Sequence, residues 1–96
     1  MRRSETLNIS EIISSLLKQQ GLEDKLYENR LMNSWEDLLG KSIGRATRHM
    51  YIKDRVLFVH ISSSVVKHEI MMIRDELVVR LNEKAGKDVI GKILLR

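Results

Sequence analysis

Residues 48–61 read RHMYIKDRVLFVHI, and the alternation of apolar and polar side chains along them decides the fold. Met50 and Ile52 alternate on one arm, Leu57, Val59 and Ile61 on the other, and Lys53, Asp54 and Arg55 lie between. A period of two marks a strand with one buried side, and two such runs joined by a short polar turn predict a hairpin. A two-residue turn at Lys53-Asp54 or at Asp54-Arg55 puts all five apolar residues on one sheet face, which is consistent with a single buried side. The opposite side then shows His49, Tyr51, Val56, Phe58 and His60, including two of the chain's four aromatic residues.

On both sides of the hairpin the period changes to that of a helix. Upstream, Ile9, Ile12, Ile13, Leu16 and Leu17 follow the i, i+3, i+4, i+7, i+8 rule, with Asn8 as a cap and Gly21 as a terminator. The next stretch, LEDKLYENRLMNSWEDLLG (residues 22–40), places Leu22, Leu26, Leu31, Trp35, Leu38 and Leu39 on a broad stripe and predicts a second helix. Gly40 or Gly44 then kinks or ends it. Downstream, SSSVVKHEIMMIRDELVVRLNEKAG (residues 62–86) opens with capping serines and repeats Val66, Ile70, Ile73, Leu77 and Leu81 at helical intervals. One long helix ending at Gly86 is expected there, followed by a closing strand within DVIGKILLR (residues 88–96). The order α-α-β-β-α-β makes a small α+β domain, a three-stranded sheet with helices packed on one face.

Ninety-six residues suffice for one domain, expected to span 1–96 with residues 1–7 as a flexible lead. The absence of Cys excludes disulfides, thiolate zinc sites and a cysteine nucleophile. The opening MRRSETLNISEIISSLLKQQ is interrupted by polar residues at helical spacing, unlike a signal peptide, and no window approaches the roughly 18 apolar residues of a membrane span. A cytoplasmic location is expected. The net charge is +4, unevenly spread: residues 1–40 hold five basic against seven acidic side chains, net −2, leaving +6 for the remainder. There Lys41, Arg45, Arg48, Lys53 and Arg55 are diluted only by Asp54, and Lys84, Lys87, Lys92 and Arg96 only by Asp88. Such asymmetry suits a polyanion-binding face, although a merely solvated surface shows it as well.

Catalytic constellations are missing from the pattern. There is no HExxH, no Walker A loop and no GxSxG elbow, so an enzyme is not expected and no cofactor is implied. A site joining His60 and His68 would supply only two of the three or four ligands a metal needs, so His49, His60 and His68 read as surface or half-buried histidines. GKSIG (residues 40–44) is one residue longer than the GxxG loop with which KH modules clamp a nucleic-acid backbone. Helix ending at Gly40 and close packing at Gly44 explain it better. Lys41, Arg45, Arg48, Lys53 and Arg55 are the candidate phosphate contacts. Tyr51 and Phe58 are the candidate stacking or partner surface, on a face that the first helix or a second copy would otherwise cover. Trp35 reads as a core anchor, and of the adjacent Met71 and Met72 one is expected to face outward.

The ordered pattern resembles the DciA family. The residues that carry the resemblance are a tryptophan helix ending in LLG (Trp35 to Gly40), then IGRAT (Ile43 to Thr47), the hairpin DRVLFVHISSS (Asp54 to Ser64) and HEIMMIRDELVVRLNEKAGKDVIGKILLR (His68 to Arg96). The likeness covers about residues 24–96, and its specificity lies in order and spacing. It departs at Val65 and Val66, where the family often has an aromatic residue. The resemblance implies a KH-like fold and a non-enzymatic role as a loader or operator of a DnaB-type replicative helicase, in contact with DNA. Two readings stand beside each other: a nucleic-acid-binding adaptor in replication, and a protein-interaction or homo-oligomerisation module with incidental nucleic-acid affinity. A KH-like RNA-binding protein is a further variant.

Overall fold

The chain reverses at Asp54 and Arg55, two consecutive non-glycine residues with φ of +52° and +64°. Positive φ at both central positions is the mirror-image turn whose twist matches that of a two-stranded ribbon. It selects Asp54-Arg55 over Lys53-Asp54 as the turn and sets the register of β1 (Thr47–Lys53) against β2 (Val56–Ile61): Lys53 pairs with Val56, Ile52 with Leu57, Tyr51 with Phe58 and Met50 with Val59. Leu57, Val59 and Ile61 are buried and Met50 and Ile52 half-buried, so the five alternating residues do share the inner face.

The computed structural model describes residues 9–19 and 22–96. The expected lead 1–7, the Asn8 cap and the Gly21 terminator lie outside the described residues. Ahead of the hairpin come α1 (Ile9–Gln19), α2 (Glu23–Asn33), α3 (Trp35–Leu39) and α4 (Lys41–Ala46); after it come α5 (Ser64–Met72), α6 (Arg74–Ala85) and β3 (Lys92–Leu95). The sheet order is β1-β2-β3, antiparallel between β1 and β2 and parallel between β2 and β3. Helices on one side and strands on the other form one core, in which Leu31, Trp35, Ile70, Leu77, Leu81 and Ala85 meet Leu57, Val59, Ile61 and Ile93. The fold is α+β, a mixed three-stranded sheet with helices packed against it.

Several elements differ from their expected extents. The single helix expected over residues 22–40 is interrupted at Ser34, whose hydroxyl donates to the Arg30 carbonyl at 2.9 Å and whose amide closes a tighter turn to Leu31 at 3.1 Å. It ends at Gly40, where φ is +95°. The single long helix is likewise broken at Ile73, whose amide reaches only three residues back, to Ile70, at 3.1 Å. The break lets α6 bury Leu77, Leu81 and Ala85, while Ile73 itself, expected on the apolar stripe, is exposed. Since α5 ends there with Val66 and Ile70 facing the core, Met71 and Met72 both face outward rather than one of them. Ser63 does cap α5, accepting from the Val66 amide at 3.3 Å, and Gly86 does end α6 with a left-handed φ of +85°.

The closing strand is shorter than its sequence stretch and begins only at Lys92. Asn82 of α6 occupies the approach. Its carboxamide oxygen accepts from the amides of Val89 at 2.9 Å and Ile90 at 3.0 Å, while its nitrogen donates to the Ile90 carbonyl at 2.8 Å and to Asp88 Oδ1 at 3.1 Å. Backbone groups satisfied by one side chain have no need of a neighbouring strand. Ile90 is thereby buried as a loop residue, and β3 enters the sheet beside β2.

Candidate nucleic-acid interface

The five predicted basic residues fall into two groups at opposite ends of β1. Lys41 and Arg45 are four apart on α4 and so share a helix face, and Arg48 follows at the start of β1, where the pairing register slips between Thr47 and His49. All three are exposed. Their backbone is held from below: the Trp35 indole N–H donates to Thr47 Oγ1 at 2.9 Å, the Thr47 hydroxyl donates to the Ile43 carbonyl at 2.8 Å, and the Ser62 amide donates to the Ala46 carbonyl at 2.8 Å. Trp35 itself is 1% exposed, the core anchor its place on the stripe predicted.

Gly44 lies within this group, and its missing side chain has a packing reason. A Cβ there would meet Glu36 Oε1 at 2.6 Å. The space a phosphate would need in a glycine clamp is thus filled by a carboxylate, in keeping with close packing. Glu36, Trp35, Gly44, Thr47, Arg48 and His49 contribute to the wall of an open cleft of about 480 Å³ between the helices and the first strand. The Glu36 carboxylate and the Arg48 guanidinium both belong to this lining, so the cleft is not uniformly attractive to an anion.

At the other end, Lys53 is exposed, while Arg55 is tied down. The Arg55 guanidinium donates to the Asp88 carbonyl at 3.0 Å and pairs with Asp88 Oδ2 at 3.5 Å, and its own carbonyl accepts from the Gly91 amide at 2.8 Å. These contacts bind the hairpin tip to the loop before β3. With side chains 57% and 78% exposed, the ion pair itself contributes little. Lys41, Arg45, Arg48 and Lys53 form no ion pair with a described carboxylate. At about 3.4 Å per residue, Arg48 and Lys53 stand roughly 17 Å apart along the strand.

Between these two groups lies the outer sheet face, uncovered by any described helix. His49, Tyr51 and His60 are exposed and Val56 and Phe58 half-buried, as the alternation implied. The first helix was one expected cover for this face. Instead α1 packs on α2, and every described side chain from Ile9 to Leu16 is exposed. Tyr51 and Phe58, cross-strand partners, stack with ring centroids 4.8 Å apart and planes 11° from parallel. The His49 ring is tilted 42° against Tyr51 at 5.5 Å. From the far side the Arg96 guanidinium lies 5.3 Å over the Phe58 ring.

Arg96 and Lys92 were legible as a C-terminal basic cluster but not as part of this face. Parallel pairing of Val56 with Lys92 and of Phe58 with Leu94 brings them there. The alternation Lys92-Ile93-Leu94-Leu95-Arg96, with Ile93 buried, was the available signal. Among the described residues no group of three or more His, Asp or Glu side chains converges as a metal site, and His49, His60 and His68 are all exposed. No helix among them is long and apolar enough to cross a membrane.

Comparison with known proteins adds three findings. The model of a family described as Dna[CI] antecedent, DciA, matches residues 8–95. A UPF0232 protein of Corynebacterium glutamicum (strain R) is 22% identical over 86 residues, which cover 90% of this chain and 48% of that protein. The chain thus spans about half the length of the curated relative it matches. No solved structure matches it.

Proposed function

The chain belongs to the DciA family, and on that premise we propose that it is a non-enzymatic, nucleic-acid-binding adaptor that loads or operates a DnaB-type replicative helicase in the cytoplasm. The observation that carries the nucleic-acid half of the reading is the group Lys41, Arg45 and Arg48: three exposed cations without described carboxylate partners, on a backbone pinned by Trp35, Thr47 and Ser62. Cations fixed in this way neutralise phosphates without first giving up a protein partner. Lys53 extends the track at the hairpin tip, and Arg55 contributes to it chiefly by holding that tip in place. The KH-like reading of the fold belongs to the same proposal, supported by helices on one face of a mixed sheet and by α4, which starts after Gly40, contains Gly44 and follows the tryptophan helix.

A protein-docking role has its own observation. Val65, Met71 and Met72 are large apolar side chains left exposed on α5, and methionines repack readily against a partner. This surface suits the helicase half of the proposal and equally a second copy of the chain.

The test joins a pull-down with the host DnaB-type helicase to oligonucleotide titrations at several salt concentrations. Retained helicase and an affinity that falls steeply with salt are expected. Replacing Lys41, Arg45 and Arg48 together by Gln is expected to flatten the slope of log K against log salt by about 2, at roughly 0.7 per lost phosphate contact on a single strand. Failure of the purified protein both to retain helicase and to bind any oligonucleotide overturns the proposal.

A further inference from the structure

None of the three strands contains an aspartate or glutamate; all thirteen acidic residues lie in helices, turns or loops, or outside the described residues. The strands and the residue after β3 instead carry Arg48, His49, Lys53, His60, Lys92 and Arg96. On the outer face His49, Lys53, His60, Lys92 and Arg96 surround a stacked aromatic pair that no described helix covers, with Tyr51 39% exposed. A face left open for lack of a helix would carry mixed charge like the rest of the surface. The strands that form this one contribute no aspartate or glutamate, the charge that repels phosphate.

We infer that the outer sheet face is a stacking platform for single-stranded DNA, on which a base packs against Tyr51 while Lys53, Lys92 and Arg96 meet the flanking phosphates. The inference rests on the nucleic-acid reading proposed above and assigns it a second, chemically different surface. The cations of α4 and the start of β1 track the backbone, and the Tyr51 and Phe58 rings take the bases. Each part has a stated reason. Every base has a π-face, so aromatic stacking is indifferent to sequence, as an adaptor on a replicating strand requires. A duplex hides those faces within its own stack, so the platform discriminates for single strands. Phe58 braces Tyr51 from the neighbouring strand, and the Arg96 guanidinium over Phe58 closes the other side of the row. Stacked on its cross-strand partner, with the His49 ring tilted beside it, the Tyr51 ring loses little freedom when a base arrives.

The experiment compares a thymidine oligonucleotide, an abasic oligonucleotide of equal length and a duplex, by fluorescence anisotropy, on the wild-type chain and on Tyr51→Leu, Phe58→Leu and the Lys41, Arg45 and Arg48 triple Gln variant. Leucine keeps the positions apolar, and circular dichroism confirms each fold. The wild type is expected to bind the base-bearing single strand about tenfold more tightly than the abasic one. Tyr51→Leu is expected to lose about that factor, in line with the worth of one base on one ring, with the salt slope unchanged. The triple variant is expected to flatten the slope and keep the preference for bases. Equal binding of abasic and base-bearing strands, or wild-type affinity in Tyr51→Leu, overturns the platform while leaving the proposed function standing. Absence of any oligonucleotide binding by the wild type overturns the nucleic-acid reading itself. A Tyr51→Leu variant that turns a wild-type dimer into a monomer assigns the face to a second copy. Tighter binding of an RNA strand of the same sequence assigns it to RNA; either result overturns the proposal.

Discussion

The inner and outer faces of this sheet are built from the same strands, residue by residue in alternation, yet obey different constraints. Inward, Leu57, Val59, Ile61 and Ile93 are buried against Trp35, Ile70, Leu77 and Leu81. Each full burial of such a side chain stabilises the fold by roughly 1.5–3 kcal/mol. Outward, Tyr51, Phe58, His49, His60, Lys92 and Arg96 meet water and one another. Their mutual contacts are worth only about 0.2–1 kcal/mol per cross-strand pair. The comparison teaches that stability resides on one face, so that residue choice on the other is free to serve recognition.

The comparison is open to direct attack. Leu57→Ala, in the middle of the inner face, is expected to cost about 3 kcal/mol in urea unfolding, through lost burial and an unfilled cavity. A cost below 1 kcal/mol would mean the inner face is loosely packed. Asn82→Ala comes next, at about 2 kcal/mol, because it leaves the Val89 and Ile90 amides without the oxygen they donate to. Hydrogen exchange is expected to speed up first at those two amides and then along β3, which the Asn82 clamp feeds into register. Smallest is Tyr51→Leu, expected to cost about 0.5 kcal/mol by the same unfolding measurement. A loss of several kcal/mol there would erase the distinction between the faces and reduce the aromatic pair to a structural one.

Much of the fold was legible because it depends on neighbours close in sequence. The period-two run from Met50 to Ile61 specified both arms of the hairpin and the residues of each face, and Asp54-Arg55 was one of two turns compatible with them. Trp35 as an anchor, Ser63 as a cap and Gly86 as a terminator follow equally from local patterns. The helix breaks at Ser34 and Ile73 were not legible, since the apolar stripe continues through both, and a break is favoured only when the next turn finds a better packing direction. For the candidate site, the sequence identified Lys41, Arg45, Arg48, Lys53, Tyr51 and Phe58 as exposed or outward-facing. It did not show that Arg55 is engaged by Asp88 thirty-three residues away, or that Lys92 and Arg96 join the aromatic row.

By itself, then, the amino-acid sequence determined the period of each element, which side chains share a face, and an excess of positive charge in the second half of the chain. Those properties are set by backbone geometry over a few residues and need no partner. Tertiary structure alone decided which sheet face the helices cover, that Ile9, Ile12, Ile13 and Leu16 of α1 stay exposed, and that two basic clusters far apart in sequence border one sheet face whose strands carry no aspartate or glutamate. Those outcomes depend on which distant surfaces bury one another, and alternation along a strand is symmetric with respect to that choice until the helices settle on one side.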